Sequence, residues 1–155
     1  VPLDVMQAAR EFHDFDAGAT LDLASGLAIR TGRLNHPGGA TGYRVDYAGR
    51  SFALITDTEH TPGAPDGNVL ALIEGCDVVV YDATYTDDSF TRFRGWGHST
   101  WQEGLRLCEA AGAGRLVAFH HDPDADDAIL AGIDTALAER RPGSCVAAEG
   151  LVLTP

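Results

Sequence analysis

The residues best suited to chemistry in this 155-residue chain are its histidines and the carboxylates near them. His36 opens a glycine-rich loop, and Asp57 and His120 each follow a short apolar run. If these three residues meet on one rim of a sheet, they offer two imidazoles and one carboxylate, a ligand set that suits zinc, manganese or iron. Spacing alone leaves open the alternative that each residue only caps or solvates its own loop.

A second pair, Asp82 and His98, has the chemistry for proton transfer. Asp82 follows the apolar run at residues 78–81, and His98 precedes a predicted helix. A carboxylate that accepts the Nδ1 hydrogen of an imidazole fixes its tautomer and raises its basicity, which makes a competent general acid. The sequence equally allows His98 to be a helix-flanking residue and Asp82 to be a turn former.

The elements that must position these residues change in type along the chain. From residue 12 to residue 55, apolar residues recur mostly at every second position, which predicts antiparallel strands. A hairpin is predicted from residues 42–47 and 51–55, turning at Gly49. The rest predicts α/β structure: helices over 68–74 and 100–111, strands over 77–81 and 116–119, and a last helix with Ile129, Ile133 and Leu137 on one face.

Three familiar motifs fail in detail. Residues 97–101 (GHSTW) resemble a nucleophile elbow, but Trp101 stands where the second glycine is required, so Ser99 is expected to cap a helix. Residues 95–97 (GWG) lack the preceding strand and third glycine of a dinucleotide fingerprint. The acidic run at 122–126 lacks the glycine and glutamate of a calcium loop and predicts a helix start.

Composition excludes several classes of function. The chain has 11 basic and 23 acidic residues and a net charge of −12, which repels a polyanion, so nucleic acid is not expected as a partner. All the basic residues are arginines, so lysine-dependent chemistry is excluded. Three cysteines in apolar contexts predict buried thiols in a reducing compartment. Neither a membrane span nor a signal peptide is expected, which indicates a cytoplasmic location.

Five segments of the chain, in order, resemble the C-terminal half of the metallo-β-lactamase superfamily. They are residues 34–45 (LNHPGGATGYRV), 55–60 (ITDTEH), 77–85 (DVVVYDATY), 97–100 (GHST) and 116–123 (LVAFHHDP). The branch they resemble most contains ribonuclease Z and related phosphodiesterases. The resemblance covers about residues 12–155 and implies an α/β fold, half of an αββα sandwich, in which a mixed sheet carries helices on its outer face.

Carried over residue by residue, the resemblance implies metal ligands and catalytic groups. His36 becomes a terminal ligand of one metal ion, His120 a terminal ligand of the other, and Asp57 the carboxylate that bridges both. Asp82 orients His98, which acts as the general acid on the leaving oxygen while a metal-bridged hydroxide attacks. The expected cofactors are therefore two divalent ions, zinc first, with manganese or iron as alternatives.

One part of the family pattern is missing. The H-x-H-x-D-H motif, which supplies two ligands to each metal, has no match in residues 1–155. We therefore expect a single C-terminal half-domain that is inactive without an N-terminal half, attached or supplied by a partner chain. The start at Val1 rather than Met leads to the same expectation of a truncated or processed chain. His60 and His121 lie near the motifs and are expected to have supporting or structural roles.

The expected function is that of a dinuclear metal-dependent hydrolase acting on a small phosphodiester or another compact ester. The same scaffold serves lactones, thioesters and β-lactams, and the pair of Asp82 and His98 favours phosphodiesters among these. The alternative, of a different class, is a non-catalytic interaction or regulatory module that keeps the fold and binds a partner. The missing metal ligands are the feature that favours this alternative.

Overall fold

One seven-stranded sheet, with its strands in the same order as in the chain, organises the protein. A computed structural model describes residue 9 and residues 11–155. The strands are β1 Thr20–Ala24, β2 Leu27–Leu34, β3 Ala40–Tyr47, β4 Arg50–Ile55, β5 Val78–Asp82, β6 Arg115–Phe119 and β7 Cys145–Val146. The helices are α1 Gly67–Ile73, α2 Asp87–Phe90, α3 Trp101–Ala110 and α4 Asp127–Arg140, with a 3₁₀ turn at Thr91–Phe93.

The sheet is mixed, as the change of pattern along the sequence predicts. Strands β1 to β4 form an antiparallel meander, whereas β4, β5, β6 and β7 run parallel to their neighbours. The β3–β4 hairpin is confirmed and turns over Ala48 and Gly49, with φ of 50° and 75°. Two successive positive φ angles match the twist of the flanking strands. The first strand begins only at Thr20, so the expectation of strand structure from residue 12 was wrong for residues 12–19.

Helices α1, α3 and α4 pack on one face of the sheet. Alternate residues of β4, β5 and β6 meet them and are almost fully buried: Ala53, Ile55, Val79, Tyr81, Leu116 and Ala118. Side-chain caps start all three helices, from Asp66, Thr100 and Asp126. The Asp126 cap confirms that the acidic run begins a helix. Ser99 is not a cap, because the Thr100 hydroxyl accepts the Glu103 N–H.

The opposite face of the sheet has a smaller apolar cluster. Val78, Val80 and Val117 form its centre, with Phe52 and Leu54 partly exposed beside them. Within the described part of the chain, no helix residue belongs to this cluster. The two faces therefore differ: one is covered by helices of this chain, and the other is covered only in part by the described residues.

Three further details qualify the sequence predictions. The last helix does not bury one whole apolar face, because Ile129 is 51% exposed whereas Leu137 is fully buried. Helix α2 and the 3₁₀ turn after it were not predicted. All three cysteines are free; Cys76 and Cys108 are buried as the sequence predicts, whereas Cys145 is only half-buried. Among the described residues, every helix is too short or too polar to cross a bilayer.

Candidate metal centre

Four of the predicted site residues lie at one edge of the sheet. His36 follows β2, Asp57 follows β4, Asp82 ends β5 and His120 follows β6. Strand β2 is antiparallel to β3, which is antiparallel to β4, and β4, β5 and β6 are parallel. The carboxyl ends of β2, β4, β5 and β6 therefore meet on the same rim, where α/β folds place their binding sites. His98 reaches this rim from the segment just before α3.

Two residues on this rim have left-handed backbone conformations. Asp57 has φ of 60° and His120 has φ of 58°. An L-residue with a side chain loses about 1–2 kcal/mol in this region, although Asp and His tolerate it better than most. Backbone strain of this kind concentrates at functional sites, where it aims a side chain that the relaxed backbone would direct elsewhere.

The imidazoles and carboxylates are close enough to share metal ions. His36, Asp57 and His98 each offer a ligand atom within 4.8 Å of the others, and so do Asp82, His98 and His120. The His120 Nε2 and Asp57 Oδ1 atoms are 3.5 Å apart. Two tetrahedral ligands, each about 2.1 Å from zinc, lie about 3.4 Å from one another. The residues present therefore fit a divalent ion in both donor chemistry and spacing.

Asp82 is fully buried, and both of its oxygens are engaged in hydrogen bonds. Oδ1 accepts from the Thr84 N–H and hydroxyl and from the Ser99 N–H. Oδ2 accepts from the backbone N–H groups of Asp57 and Thr58 and contacts His98 Nδ1 at 3.0 Å. Six donors leave this carboxylate no free lone pair directed at a metal ion, so its geometry suits positioning better than coordination.

The imidazole of His98 lies between those of the other two rim histidines. Its ring stacks on that of His120 with centroids 4.9 Å apart and meets that of His36 edge-on at 5.8 Å. Because Asp82 is an acceptor only, the His98 Nδ1 atom carries the hydrogen of their contact. Nε2 is then the nitrogen of His98 that remains for substrate or metal.

Close packing fixes the position of His36. A Cβ added at Gly97 would lie 2.2 Å from His36 Cδ2 and 2.8 Å from Pro37 Cδ, so only glycine fits there. The Gly38 N–H donates to His36 Nδ1 at 3.1 Å. Coordination through Nε2 would place a hydrogen on Nδ1, so metal binding would replace this contact with a different partner for Nδ1.

A buried polar layer supports the rim from behind. The His60 Nδ1 and Ser99 Oγ atoms are 2.7 Å apart, and the Tyr81 hydroxyl lies 3.0 Å from the same Oγ. The His60 ring also stacks on Phe90. Burial lowers the pKa of His60, and burial raises the pKa of the Tyr81 hydroxyl. Both groups are therefore neutral near pH 7 and act as hydrogen-bonding supports for the segment that carries His98.

The His121 ring nitrogens make no hydrogen bond to this network. Both nitrogens are buried without a side-chain hydrogen-bond partner. Burial lowers the pKa of this imidazole as well. It lines a small cavity of about 180 Å³ together with residues at the start of α4.

Two residues that shape the site, Thr84 and Glu59, were not identified from the sequence. The Thr84 hydroxyl oxygen lies 2.8 Å from Asp82 Oδ1 and 2.7 Å from the His120 carbonyl oxygen, so its one hydrogen is shared between two site residues. An Asp whose side chain accepts the N–H two residues later is a known turn signature, so the D-x-T spacing was a usable signal. No local signal marks Glu59, which accepts the N–H groups of Gly95 and Gly97 from 36 and 38 residues away.

Comparisons with known proteins place the chain in a family. Residues 2–121 match the family described as beta-lactamase superfamily domain. Ribonuclease Z of Halorubrum lacusprofundi is 39% identical over 72 residues, which are 46% of this chain and 22% of that protein. Ribonuclease BN of Salmonella paratyphi B is 32% identical over 116 residues, 75% of this chain and 34% of that protein. The chain thus spans about a third or less of the length of these relatives.

Solved structures share the fold at lower identity. The metallo-beta-lactamase fold protein YhfI from Bacillus subtilis has a TM-score of 0.68 at 18% identity, covering 88% of this chain and 53% of that one. Human tRNase Z, short form, has a TM-score of 0.64 at 19% identity, covering 87% and 46%. A diphosphatase from the PhnP family has a TM-score of 0.65 at 20% identity, covering 96% and 51%.

Proposed function

The chain belongs to the beta-lactamase superfamily, and on that premise we propose that it is the C-terminal half-domain of a metal-dependent phosphodiester hydrolase. The observation that carries the proposal is the contact of 3.0 Å between the buried Asp82 carboxylate and His98 Nδ1, beside side chains whose chemistry and spacing could hold a metal ion. A metal site needs no such pair to bind ions, whereas a departing alkoxide needs a proton donor.

His36, Asp57 and His120 would hold two divalent ions, zinc first. His36 would be a terminal ligand of one ion, His120 of the other, and Asp57 would bridge them. The separation of 3.5 Å between His120 Nε2 and Asp57 Oδ1 supports a shared ion for that pair. Divalent ions bound there would supply Lewis-acid polarisation of the phosphoryl group and a nucleophile at neutral pH.

Residues of this chain would donate the proton that the leaving group needs. Asp82 holds His98 with Nδ1–H directed at the carboxylate, so that the imidazolium form presents Nε2–H to the substrate. As a P–O bond forms from water and the P–O bond to the leaving group breaks, Nε2 would give its proton to the departing oxygen, so that no free alkoxide is released. The role of Asp82 in this step would be to orient His98 and stabilise the imidazolium.

The remaining ligands would come from a segment outside residues 1–155. Zinc sites use three or four protein ligands, and this chain would give each ion only one histidine and a share of Asp57. The coverage of 34% of the Salmonella relative and the partly covered sheet face support a complementary half, in the same polypeptide or in a partner chain.

Replacing His98 tests the assignment most directly. In the complete protein, we expect His98→Ala to lower turnover of bis(4-nitrophenyl) phosphate by about a hundredfold or more, with the metal content retained. His13→Ala is a matched control, because its side chain is 82% exposed and it belongs to none of the five segments that carry the resemblance. Loss of metal in His98→Ala would instead make His98 a ligand. Unchanged turnover with retained metal would refute the general-acid role of His98, and no turnover by the unaltered complete protein would favour the non-catalytic interaction module.

RNA is a second candidate substrate, favoured by the names of the two relatives, both ribonucleases. These names weigh against our expectation that nucleic acid is not a partner. The net charge of −12 favours a small phosphodiester over a long polynucleotide. Rates for bis(4-nitrophenyl) phosphate and for a structured RNA, measured side by side over a range of salt concentrations, separate the two substrates.

A further inference from the structure

An exposed aromatic surface adjoins the rim and has no part in the chemistry described so far. It belongs to residues 91–97 (TRFRGWG), the segment between α2 and His98, which we call the aromatic loop. Trp96, at the end of this loop, is 64% exposed, whereas the other tryptophan, Trp101, is 6% exposed. An exposed tryptophan two residues before a site histidine needs an explanation, because large aromatic side chains are usually buried or used for binding.

The aromatic loop is anchored to the rim. The Glu59 carboxylate accepts the N–H groups of Gly95 at 2.7 Å and Gly97 at 3.0 Å. Two hydrogen bonds with Asn35 hold Glu59 in place. The Glu59 N–H donates to the Asn35 carbonyl at 2.7 Å, and the Asn35 side-chain amide donates to the Glu59 carbonyl at 2.8 Å. Asn35 precedes His36, so the loop has a fixed position relative to a proposed metal ligand. A surface held in this way loses little conformational entropy when it binds a ligand.

Aromatic contacts run without a break from Trp96 to the proposed general acid. The Trp96 ring meets Phe93 edge-on at 5.7 Å, and Phe93 stacks on Tyr85 at 4.5 Å with an interplanar angle of 5°. Tyr85, which is 6% exposed, meets His98 at 6.2 Å. Tyr85 is thus the buried base of this series, in contact with His98, and Trp96 is its exposed end.

The charge of the loop differs from that of the whole chain. The segment contains two of the eleven basic residues, Arg92 and Arg94, and no acidic residue. The Arg92 guanidinium lies 5.7 Å from the centre of the Phe93 ring. In a chain with a net charge of −12, a basic and aromatic segment beside the site favours an anion that carries a planar ring.

We propose that Trp96 is a stacking platform for a nucleobase on one of the two groups esterified to the scissile phosphate. The proposal rests on the phosphodiesterase function proposed above and narrows its substrate to nucleotide esters. Stacking of a base on an aromatic side chain tolerates any base, so the platform selects for the presence of a base and not for its identity.

The kinetic test compares two substrates that share a leaving group. Thymidine 5′-(4-nitrophenyl phosphate) carries a base, and methyl 4-nitrophenyl phosphate does not. In the complete protein, we expect Trp96→Ala to lower the preference for the thymidine ester, as a ratio of kcat/KM values, by about tenfold, mainly through KM. Trp96→Phe should keep most of the preference, because phenylalanine also stacks. Tyr47→Ala, which removes an exposed aromatic ring at the opposite end of the sheet, is the control and should leave the preference unchanged.

A binding test separates this proposal from the proposed catalysis. Adenosine 5′-monophosphate should quench the tryptophan fluorescence of the complete protein, and ribose 5-phosphate, which lacks the base, should not. The quenching should disappear in Trp96→Ala, which leaves the buried Trp101 as the one tryptophan of these 155 residues. Base-dependent quenching without any hydrolysis would refute the catalytic function and leave the platform standing. An unchanged substrate preference in Trp96→Ala would overturn the platform. So would a failure of acrylamide to quench the fluorescence of Trp96 in the complete protein, because the complementary half would then cover this side chain.

Discussion

A single buried carboxylate, Asp82, joins the loops that form the rim. Its six donors come from the loop after β4, the loop after β5 and the segment before α3. Four of these donors are backbone N–H groups, so Asp82 fixes the loop paths as well as the His98 ring. The positions of His98 and Asp57 are therefore coupled through one side chain, and small shifts in either loop are resisted by several charge-assisted hydrogen bonds.

Asp57 is the residue on which both metal ions would depend. Asparagine tolerates the left-handed backbone of this position, φ 60°, and keeps the size of the side chain while removing its charge. We expect Asp57→Asn in the complete protein to reduce the bound metal from about two ions to near zero, measured by elemental mass spectrometry. Asp88→Asn, at an exposed acid of α2, is the control. Retention of both ions in Asp57→Asn would contradict the bridging role.

His60 should make the free energy of unfolding depend on pH. Burial lowers its pKa in the folded state, so below the ordinary histidine value of about 6.5 the unfolded chain binds a proton that the folded chain does not. The free energy of unfolding should therefore fall as the pH is lowered from about 7.5 to about 5.5. His60→Gln should show a smaller fall in urea titrations at the two pH values. An equal fall in both proteins would exclude His60 as the source.

At the scale of elements, two glycines of the aromatic loop offer a matched comparison. Gly95 and Gly97 have nearly the same φ, 89° and 91°, so alanine strains the backbone equally at both. Only at Gly97 does the new Cβ meet His36 and Pro37, whereas nothing lies within 4 Å at Gly95. We expect both variants to lose about 1–2 kcal/mol of stability from backbone strain. Gly97→Ala alone should also lose metal, and equal metal contents would show that His36 can move aside.

Local patterns predicted the elements better than the contacts between them. The β3–β4 hairpin and the Thr100 helix start follow from signals only a few residues long. The placement of His36, Asp57 and His120 at sheet edges also followed from the apolar runs before them. The exposure of Ile129 and the anchoring of the aromatic loop by Glu59 could not be predicted, because both depend on packing between segments distant in sequence. Helix α2, only four residues long, gives no detectable periodicity.

At the scale of the whole molecule, one face of the sheet is only partly covered, and the half that would cover it would also supply the missing metal ligands. We therefore expect incomplete metal binding by the chain alone. The isolated 155-residue chain should bind near zero metal ions per chain, whereas the chain joined to its complementary half should bind about two. Elemental mass spectrometry of both samples measures this, with a chelator-treated sample as the background. About two ions in the isolated chain would mean that its own side chains complete the sites, and the proposal of a missing half would then be wrong.

The order of the strands determines how the sheet can fold during synthesis. Every strand of the sheet lies next to the strand that precedes it in the chain, from β1 to β7. No strand therefore has to wait for a later segment to fill a gap between two others. The antiparallel pairings from β1 to β4 close short loops, and the parallel pairings from β4 to β7 close longer connections that contain helices. A chain leaving the ribosome can extend this sheet one strand at a time, so the half-domain can acquire its topology during its own synthesis.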